Sequence, residues 1–571
     1  MELALIDAIG PFFRNHPKRR INWSKIPFTL LPFDGPDYTL YWENVWNELG
    51  DFAAKVSTLG YNAVTLDDVI HLSDHPWLEP EILQRNAVFR QEYRHLFALL
   101  RSHGLKIYLT SDFLSVSMAV EQRLKGRVGA AVDWYAEVVD ACMADFPEVE
   151  GIVLRIGESD GVDVTDPLRS RLYLRNEQEV NRMLQRLLPV FERRQRRLIF
   201  RTWTVGAHLI GDLIWHRDRL ASTLRGIESP AFVLSMKYGE SDFFRYLPIN
   251  RHFFRIDIPK IIELQARREY EGAGEYPSFI GWDCEHYARE LAGARNMLGF
   301  SVWCQTGGWH SFRRRAFLEP SAVWIDLNAA AAIHIFKNGA TVEDTVTSFF
   351  GSDRAAGALE LLRLSDVVIK ELLYVEEFAR KKLFFRRVRI PPLLHVYWDS
   401  LFINEAVRTM LSHWVLDPEA AVRAGEAAFT QFDRMQELAR ELKLPEDDIL
   451  FMRDTFALVL LARRYYLLPP DPDFPARIKA AKKAYKARWP RSLRNRYRIR
   501  TGLRPFFLTK RTATWVMHLL VRGQRGYRPV LDRLFTLRAL SWIYRLFRAR
   551  HEEALPKFVR KTAMGIDSLF R

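Results

Sequence analysis

The sequence predicts an α/β protein: a (β/α)8 barrel of the TIM type, followed by an all-α domain and a basic helical tail. Three observations carry this reading. Eight short apolar, β-branched runs alternate with amphipathic stretches at the front of the chain. After about Lys337 the strand signals give way to helical periodicity. Beyond Arg477 basic residues far outnumber acidic ones.

The runs that read as strands are KIPFTLLPF (25–33), YNAVTLDD (61–68), LKIYLTSD (105–112) and GIVLRIGES (151–159), then RLIFRTWTV (197–205), AFVLSMKY (231–238), PKIIELQA (259–266) and GFSVWCQTG (299–307). Apolar residues recur at helical spacing between most of them, as in WENVWNELGDFAAKVSTLG, FRQEYRHLFALLRSHG and EQEVNRMLQRLLPVFERR. Repeated strand–helix units of this kind are the pattern of a (β/α)8 barrel. An open doubly wound sheet would want a Gly-rich phosphate turn after an early strand, and neither GxGxxG nor GxxxxGK[ST] occurs. The expected domains are the barrel over 1–340, a helical domain over 341–470 and the tail over 471–571. The Pro-rich segment YYLLPPDPDFPARI, where a helix cannot continue, marks the second boundary.

Composition narrows the class. At 571 residues, 48% hydrophobic and 13% aromatic, the chain has the make-up of a globular protein of two or three domains. No apolar run approaches the roughly 20 residues that span a bilayer, and MELALIDAIGPFF lacks a basic stretch before its apolar residues. A cytoplasmic location is expected, with the three cysteines Cys142, Cys284 and Cys304 as reduced core thiols. The net charge of +15 is uneven: from Arg477 onward there are 26 Lys and Arg against 4 Asp and Glu, and the rest of the chain has 58 against 65. In LDRLFTLRALSWIYRLFRARH arginines interleave with aromatic and aliphatic residues at helical spacing. That pattern suits a basic helix peripheral to an anionic membrane surface, or a solvated face packed on the helical domain, ahead of nucleic acid.

A barrel delivers its active groups from the C-terminal ends of its strands. Those ends hold Asp67, Asp68, Asp112, Glu158, Asp160, Arg201, Trp203, Lys237, Glu240, Asp242, Glu263, Gln265, Trp303 and Gln305. Alternation along PKIIELQAR sets Glu263, Gln265 and Arg267 on the inward face, and along FVLSMKY sets Val233, Ser235 and Lys237 there. Charged groups beside Trp203, Trp303 and Trp309 fit a sugar site, because aromatic faces stack on pyranose rings while polar groups hold hydroxyls. Glycoside hydrolysis needs two carboxyl groups, one protonated and one ionised. By strand count these are Glu158 as acid and Glu263 as nucleophile or base, with Glu240 and Asp242 as the competing pair. Arg201, Trp203, Lys237, Gln265, Trp303 and Trp309 are the expected substrate-binding residues. The His- and Asp-containing loop LDDVIHLSDHP lacks a specific ligand spacing, and no metal or cofactor is expected.

The segment PKIIELQARREYEGAGEYP resembles the "IIEFQ…EY.G" segment of the family 67 α-glucuronidases, with Glu263, Leu264, Gln265, Glu269, Tyr270 and Gly272 in matching places. LSMKYGESDFFRYLP is similar to that family's lysine strand at Lys237, Gly239, Asp242, Phe243 and Pro248, and RLIFRTWTV to its arginine strand at Arg201. Trp309 falls where the family has a tryptophan after the eighth strand. The resemblance covers about 151–349. It implies a barrel glycosidase with a helical C-terminal domain that cleaves an acidic, uronic-acid-bearing glycan, Arg201 and Lys237 gripping the uronate. The chain departs from the family in having Leu247 in place of the acid glutamate and Thr306 in place of a base aspartate, while Glu343 lies near the place of the second base. Those departures keep a second expectation open: a non-catalytic glycan-binding or polysaccharide-assembly protein on the same barrel.

Overall fold

The structure, a computed structural model, describes residues 1–14, 20–22, 25–156, 166–170, 173–174, 176–203, 213, 218–305, 309–311, 314–381, 383–385, 388–397, 400–504, 509, 511–515, 521–523, 539, 542–543 and 546. Eight parallel strands close into a barrel: β1 (Leu3–Asp7), β2 (Ala63–Asp67), β3 (Lys106–Asp112), β4 (Val149–Arg155), β5 (Arg197–Arg201), β6 (Phe232–Lys237), β7 (Lys260–Gln265) and β8 (Met297–Trp303). Each pairs with its neighbour in sequence, and β8 closes on β1 with Leu3 opposite Gly299. A Cβ on Gly299 would sit 1.7 Å from the Leu3 carbonyl oxygen, so only glycine permits this approach at the seam.

Seven of the eight strands fall within or beside the sequence expectation, and the first does not. It is LALID at the N-terminus, which pairs with both β2 and β8. The segment expected there, Lys25–Phe33, instead holds a 3-10 turn at Phe28–Leu30. Pro27 and Pro32 each lack the N–H that a central barrel strand must donate, whereas LALID supplies both its donors and two inward leucines.

Alternation along the strands builds the interior in layers. Leu3, Leu5, Ala63, Tyr108, Val153, Ile199, Val233 and Ile261 form an enclosed apolar cluster. Two residues further along each strand the inward positions turn polar: Asp7, Thr65, Thr110, Arg155, Arg201, Ser235 and Glu263, with Asp67, Asp112, Lys237, Gln265 and Trp303 at the rim. Helices α1 (Tyr38–Leu59), α2 (Pro80–Ser102), α3 (Val128–Asp145), α4 (Glu177–Arg194), α5 (Gly281–Leu291) and α6 (Val323–Asn338) surround the barrel. Helix α6 is apolar nearly all round and buried along most of its length, as a helix between two packed layers must be.

The helical domain follows with α7 (Val342–Phe350), α8 (Ser352–Leu373), α9 (Pro418–Phe429), α10 (Phe432–Glu441), α11 (Glu446–Leu467) and α12 (Phe474–Arg488). It also carries two small three-stranded sheets, one pairing Ser400–Asn404 with Arg498–Gly502. Its apolar residues continue the barrel's core: Phe432, Met435, Phe456, Ile478, Tyr485, Trp489 and Ile499 join one contiguous cluster with the residues beneath the barrel helices. The first part of the basic segment is thus built into the body. Within it the Arg494 guanidinium, 8% exposed, pairs with Asp448 at 2.6 Å and Glu275 at 3.4 Å. Most of the expected amphipathic helix LDRLFTLRALSWIYRLFRARH lies outside the described residues. Among the described residues no helix is long and apolar enough to cross a membrane.

Candidate functional site

The polar rim at the C-terminal ends of the strands divides into two halves. On the β2–β4 side, Asp112 is the centre. Its Oδ2 accepts from Lys25 Nζ at 2.7 Å and from Ser170 Oγ at 2.7 Å, and its Oδ1 is 2.6 Å from Arg155 Nε. Burial by itself would raise the Asp112 carboxyl, but Arg155 and then Lys25 hold it down at about 2. On the adjacent strand Asp67 accepts from the Ile26 amide at 2.7 Å and, among the described residues, makes no ion pair as close as these. Burial, together with Asp68, pushes Asp67 up to about 7 against the weaker pull of Arg155 and Lys25. The segment misread as a first strand therefore serves the mouth as a loop, with Lys25 and Ile26 as its contacts.

His71, in the loop that follows, stacks on Phe28 with ring centroids 3.8 Å apart. Its Nδ1 is 3.3 Å from Asp68 Oδ2 and its Nε2 3.5 Å from Asp166 Oδ2. Burial would lower the imidazole, yet Asp166 and Asp68 raise it above its ordinary value. The histidine is thus held between two carboxylates. Among the described residues no group of three His, Cys, Asp or Glu side chains is arranged to hold a metal ion.

On the β5–β7 side the expected residues do meet. Arg201 donates to both oxygens of Glu263, Nε to Oε1 at 3.0 Å and a terminal nitrogen to Oε2 at 2.9 Å. Ser235 Oγ adds a bond at 2.7 Å and Trp303 Nε1 one at 3.3 Å, while the guanidinium lies 4.7 Å from the Trp303 ring centroid. Glu263 is 0% exposed, and although burial would raise its carboxyl, Arg201 and Lys237 keep it below the usual range. Glu263, the expected nucleophile, stands one layer below the rim with both oxygens hydrogen-bonded, and it orients Arg201.

Above this pair lies a second one. Lys237 Nζ donates to Asp242 Oδ1, and its ammonium sits 3.8 Å from the Trp203 ring centroid and 4.3 Å from that of Phe243. Asp242 also accepts from the Phe243 amide at 3.0 Å and from the Tyr270 hydroxyl at 2.5 Å, and its side chain is 14% exposed. Burial, then Asp242 and Glu269, raise the Tyr270 hydroxyl well above its ordinary value, so the phenol stays a donor to Asp242. Gln265 accepts from the Glu269 amide at 2.9 Å and ties the loop to its strand. Glu240 stands half-buried in the same turn as Asp242.

The loop after β7 is braced from the helical domain. Next to Tyr270, the wholly buried Glu271 binds Arg245, Arg268, Ser278 and Tyr374, with Arg245 and Arg268 holding its carboxyl at about 2 against burial. Gly272 has φ +91°, and a Cβ there would fall 2.4 Å from the Tyr276 ring, which is why the EYEG sequence ends in glycine. From the basic segment, Tyr497 donates to the Tyr270 carbonyl at 2.8 Å. Asp7, at the end of the unforeseen first strand, accepts from the amides of Cys304 and Gln305 and shapes the chain after β8.

The remaining expected residues fall elsewhere. Glu158, Asp160 and Thr306 lie outside the described residues. Trp309 lies in a short strand, Trp309–Ser311, paired with Arg20–Asn22, and its side chain is outside the described part. Leu247 is buried against Gly239. Glu343 lies on α7, over half exposed, and pairs with Arg363, which removes it as a substitute base. Tyr270 and Glu269 were legible only as matched letters of a motif. Lys25, Arg155 and Ser170 had no local signal at all.

No family model matches the chain, and no curated protein matches it. Several solved structures are similar in fold. A family 138 glycoside hydrolase targeting pectin rhamnogalacturonan II shares 12% identity over 85% of this chain and 72% of its own, with a TM-score of 0.49. The family 89 glycoside hydrolase of Clostridium perfringens shares 11% over 85% of this chain and 53% of its own, with a TM-score of 0.43. The O-GlcNAc hydrolase of Thermobaculum terrenum shares 10% over 77% and 85%, with a TM-score of 0.37. Likenesses of this size bear on neither residues nor substrate. What the fold and site define is a (β/α)8-barrel protein with a dense polar site at its C-terminal mouth.

Proposed function

We propose that the chain is a glycoside hydrolase acting on an acidic, uronic-acid-bearing glycan at the barrel mouth. The observation that carries this is the Asp242 carboxylate at the mouth, which accepts from the Tyr270 hydroxyl and from Lys237 beside the Trp203 ring, with Glu240 in the same turn and Glu269 next to Tyr270 in the chain. Two carboxyl groups close to one point are what glycosidic cleavage requires. In this reading Asp242, paired with Lys237, is the ionised member that acts as nucleophile or base. Glu269 or Glu240 is the protonated member that gives its proton to the leaving oxygen. Lys237 also offers the charge that a uronate carboxylate needs, and Trp203 an aromatic face for the ring. The matched lysine-strand and EY.G letters support the same assignment.

The test is sugar release from a panel of uronosyl oligosaccharides by the whole chain and by Asp242→Asn. The variant is expected to lose turnover by roughly 1,000-fold or more while keeping its fold and its sugar affinity. Equal turnover in the variant, or no release by the unaltered chain from about pH 4 to 8, overturns the assignment.

A further inference from the structure

Helix α12 carries Lys479, Lys482, Lys483 and Lys486 at the i, i+3, i+4 and i+7 spacing that brings side chains to one helix face. All four line a groove of about 460 Å³ that is floored by Ile478 and walled by Thr501, with no acidic side chain in its lining. The other cations of the helix have partners: Arg477 pairs with Asp471 at 2.6 Å and Arg488 with Asp454 at 2.9 Å. The lysine row does not, among the described residues. Only Lys482 is engaged, its Nζ 3.5 Å from Thr501 Oγ1. Burial and then the like charges of Lys482, Arg496 and Arg491 hold the Lys486 ammonium below its ordinary value, the sign of a crowded and uncompensated patch. Among the described residues no carboxylate pairs with these four lysines, and from Arg477 onward basic side chains outnumber acidic ones 26 to 4.

We propose that this groove is a second binding site, separate from the barrel mouth, for a stretch of anionic polysaccharide whose carboxylates lie along the lysine row. The choice of polysaccharide rests on reading the mouth as a glycan site; the anionic character rests on the groove alone. Two features favour it over other polyanions. The groove's buried apolar residue, Ile478, is 1% exposed and sits at the floor, so it does not project into a lipid layer as a membrane-binding face would. No arginine or aromatic side chain lines the groove, and these are the groups that fork onto phosphates or stack on bases.

The test compares the full chain with a Lys479→Gln/Lys483→Gln/Lys486→Gln variant, whose three sites are exposed on the helix. Both are titrated calorimetrically with an oligogalacturonate and with its methyl ester. The acid form is expected to bind the full chain and to lose roughly 10- to 100-fold in affinity in the variant at low salt, with the difference shrinking as salt is added. The ester should show no difference between the two proteins. Turnover at the mouth, where measured, should be unchanged in the variant, and an unaltered melting temperature shows that the helix is intact. Lysine-dependent binding without turnover of any glycan sustains the groove and sinks only the mouth assignment. Equal oligogalacturonate affinity in both proteins overturns the proposal. So does lysine-dependent sedimentation with phosphatidylserine vesicles, or lysine-dependent retention of a single-stranded oligonucleotide, when oligogalacturonate shows none.

Discussion

The two halves of the barrel mouth follow the same strand alternation and handle charge in opposite ways. On the β5–β7 side each anion has a cation of its own: Glu263 on β7 has Arg201 from β5, across the inside of the barrel, and Asp242, just after β6, has Lys237 from the end of that strand. On the β2–β4 side two cations, Lys25 and Arg155, gather on the single carboxylate of Asp112, and Asp67 beside it is left to burial. The first arrangement orients its carboxylates and holds that of Glu263 below the usual range. The second holds one carboxyl far below and another far above their common starting value, and so couples the fold to pH.

The sharpest way to break the comparison is Glu263→Gln. If Glu263 anchors Arg201, the amide leaves a buried guanidinium without its counter-charge, and stability should fall by about 3 kcal/mol or more in denaturant titration. A variant of full stability with abolished turnover would return Glu263 to a catalytic role. Of similar or slightly smaller size is the pH response of Asp67. Its ordinary value is 3.8 and its folded value about 7, so between these the unfolded chain is ionised while the folded one is protonated, and stability falls as pH rises. At about 1.4 kcal/mol for each unit the full loss is roughly 4 kcal/mol. Asp67→Asn should remove it, and a stability profile as steep as before over about pH 4.5 to 6 would rule the assignment out. His71, raised above 6.5, adds a decline of the same sign only above that window.

Asp112 has the reverse sign: its stabilisation is present above 3.8 and is lost as pH falls towards 2. Asp112→Asn should therefore weaken the protein near neutrality by roughly 2 kcal/mol and flatten the acid limb of the profile. An unchanged acid limb would detach Asp112 from Lys25 and Arg155. The smallest effect belongs outside both halves. Glu343→Ala, on an exposed α7 pair, should change stability by less than about 0.5 kcal/mol and leave turnover alone. A large loss of turnover there would restore Glu343 as a base.

The basic segment shows a related contrast between charge and place. Counting residues separates it from the rest of the chain, but Tyr485, Trp489 and Ile499 lie in the common core and Arg494 and Tyr497 brace the loop that carries Tyr270. Truncation at Arg477 is therefore no neutral change. It removes Arg494 and the Asn495 amide from Glu275, leaving Arg314, and the Tyr497 donor from the Tyr270 carbonyl.

Much of the architecture is local information, which is why the sequence by itself determined the barrel, seven of its strands, the inward facing of Glu263, Gln265, Ser235 and Lys237, and the burial of the three cysteines. Period-two alternation depends only on nearest neighbours along a strand, and it survives whatever the strand packs against. The same holds for Gly272, whose left-handed turn is written in one residue. Only the tertiary structure decided that LALID and not KIPFTLLPF closes the barrel, because closure depends on which segment can satisfy donors on two neighbours at once. It likewise decided that Glu263 is enclosed, that Asp112 meets Lys25 from 87 residues away, and that the Tyr270 hydroxyl donates to Asp242. Pairing and desolvation are properties of what surrounds a side chain in space, and a carboxylate carries the same letter whether it ends up neutralised, exposed or held protonated.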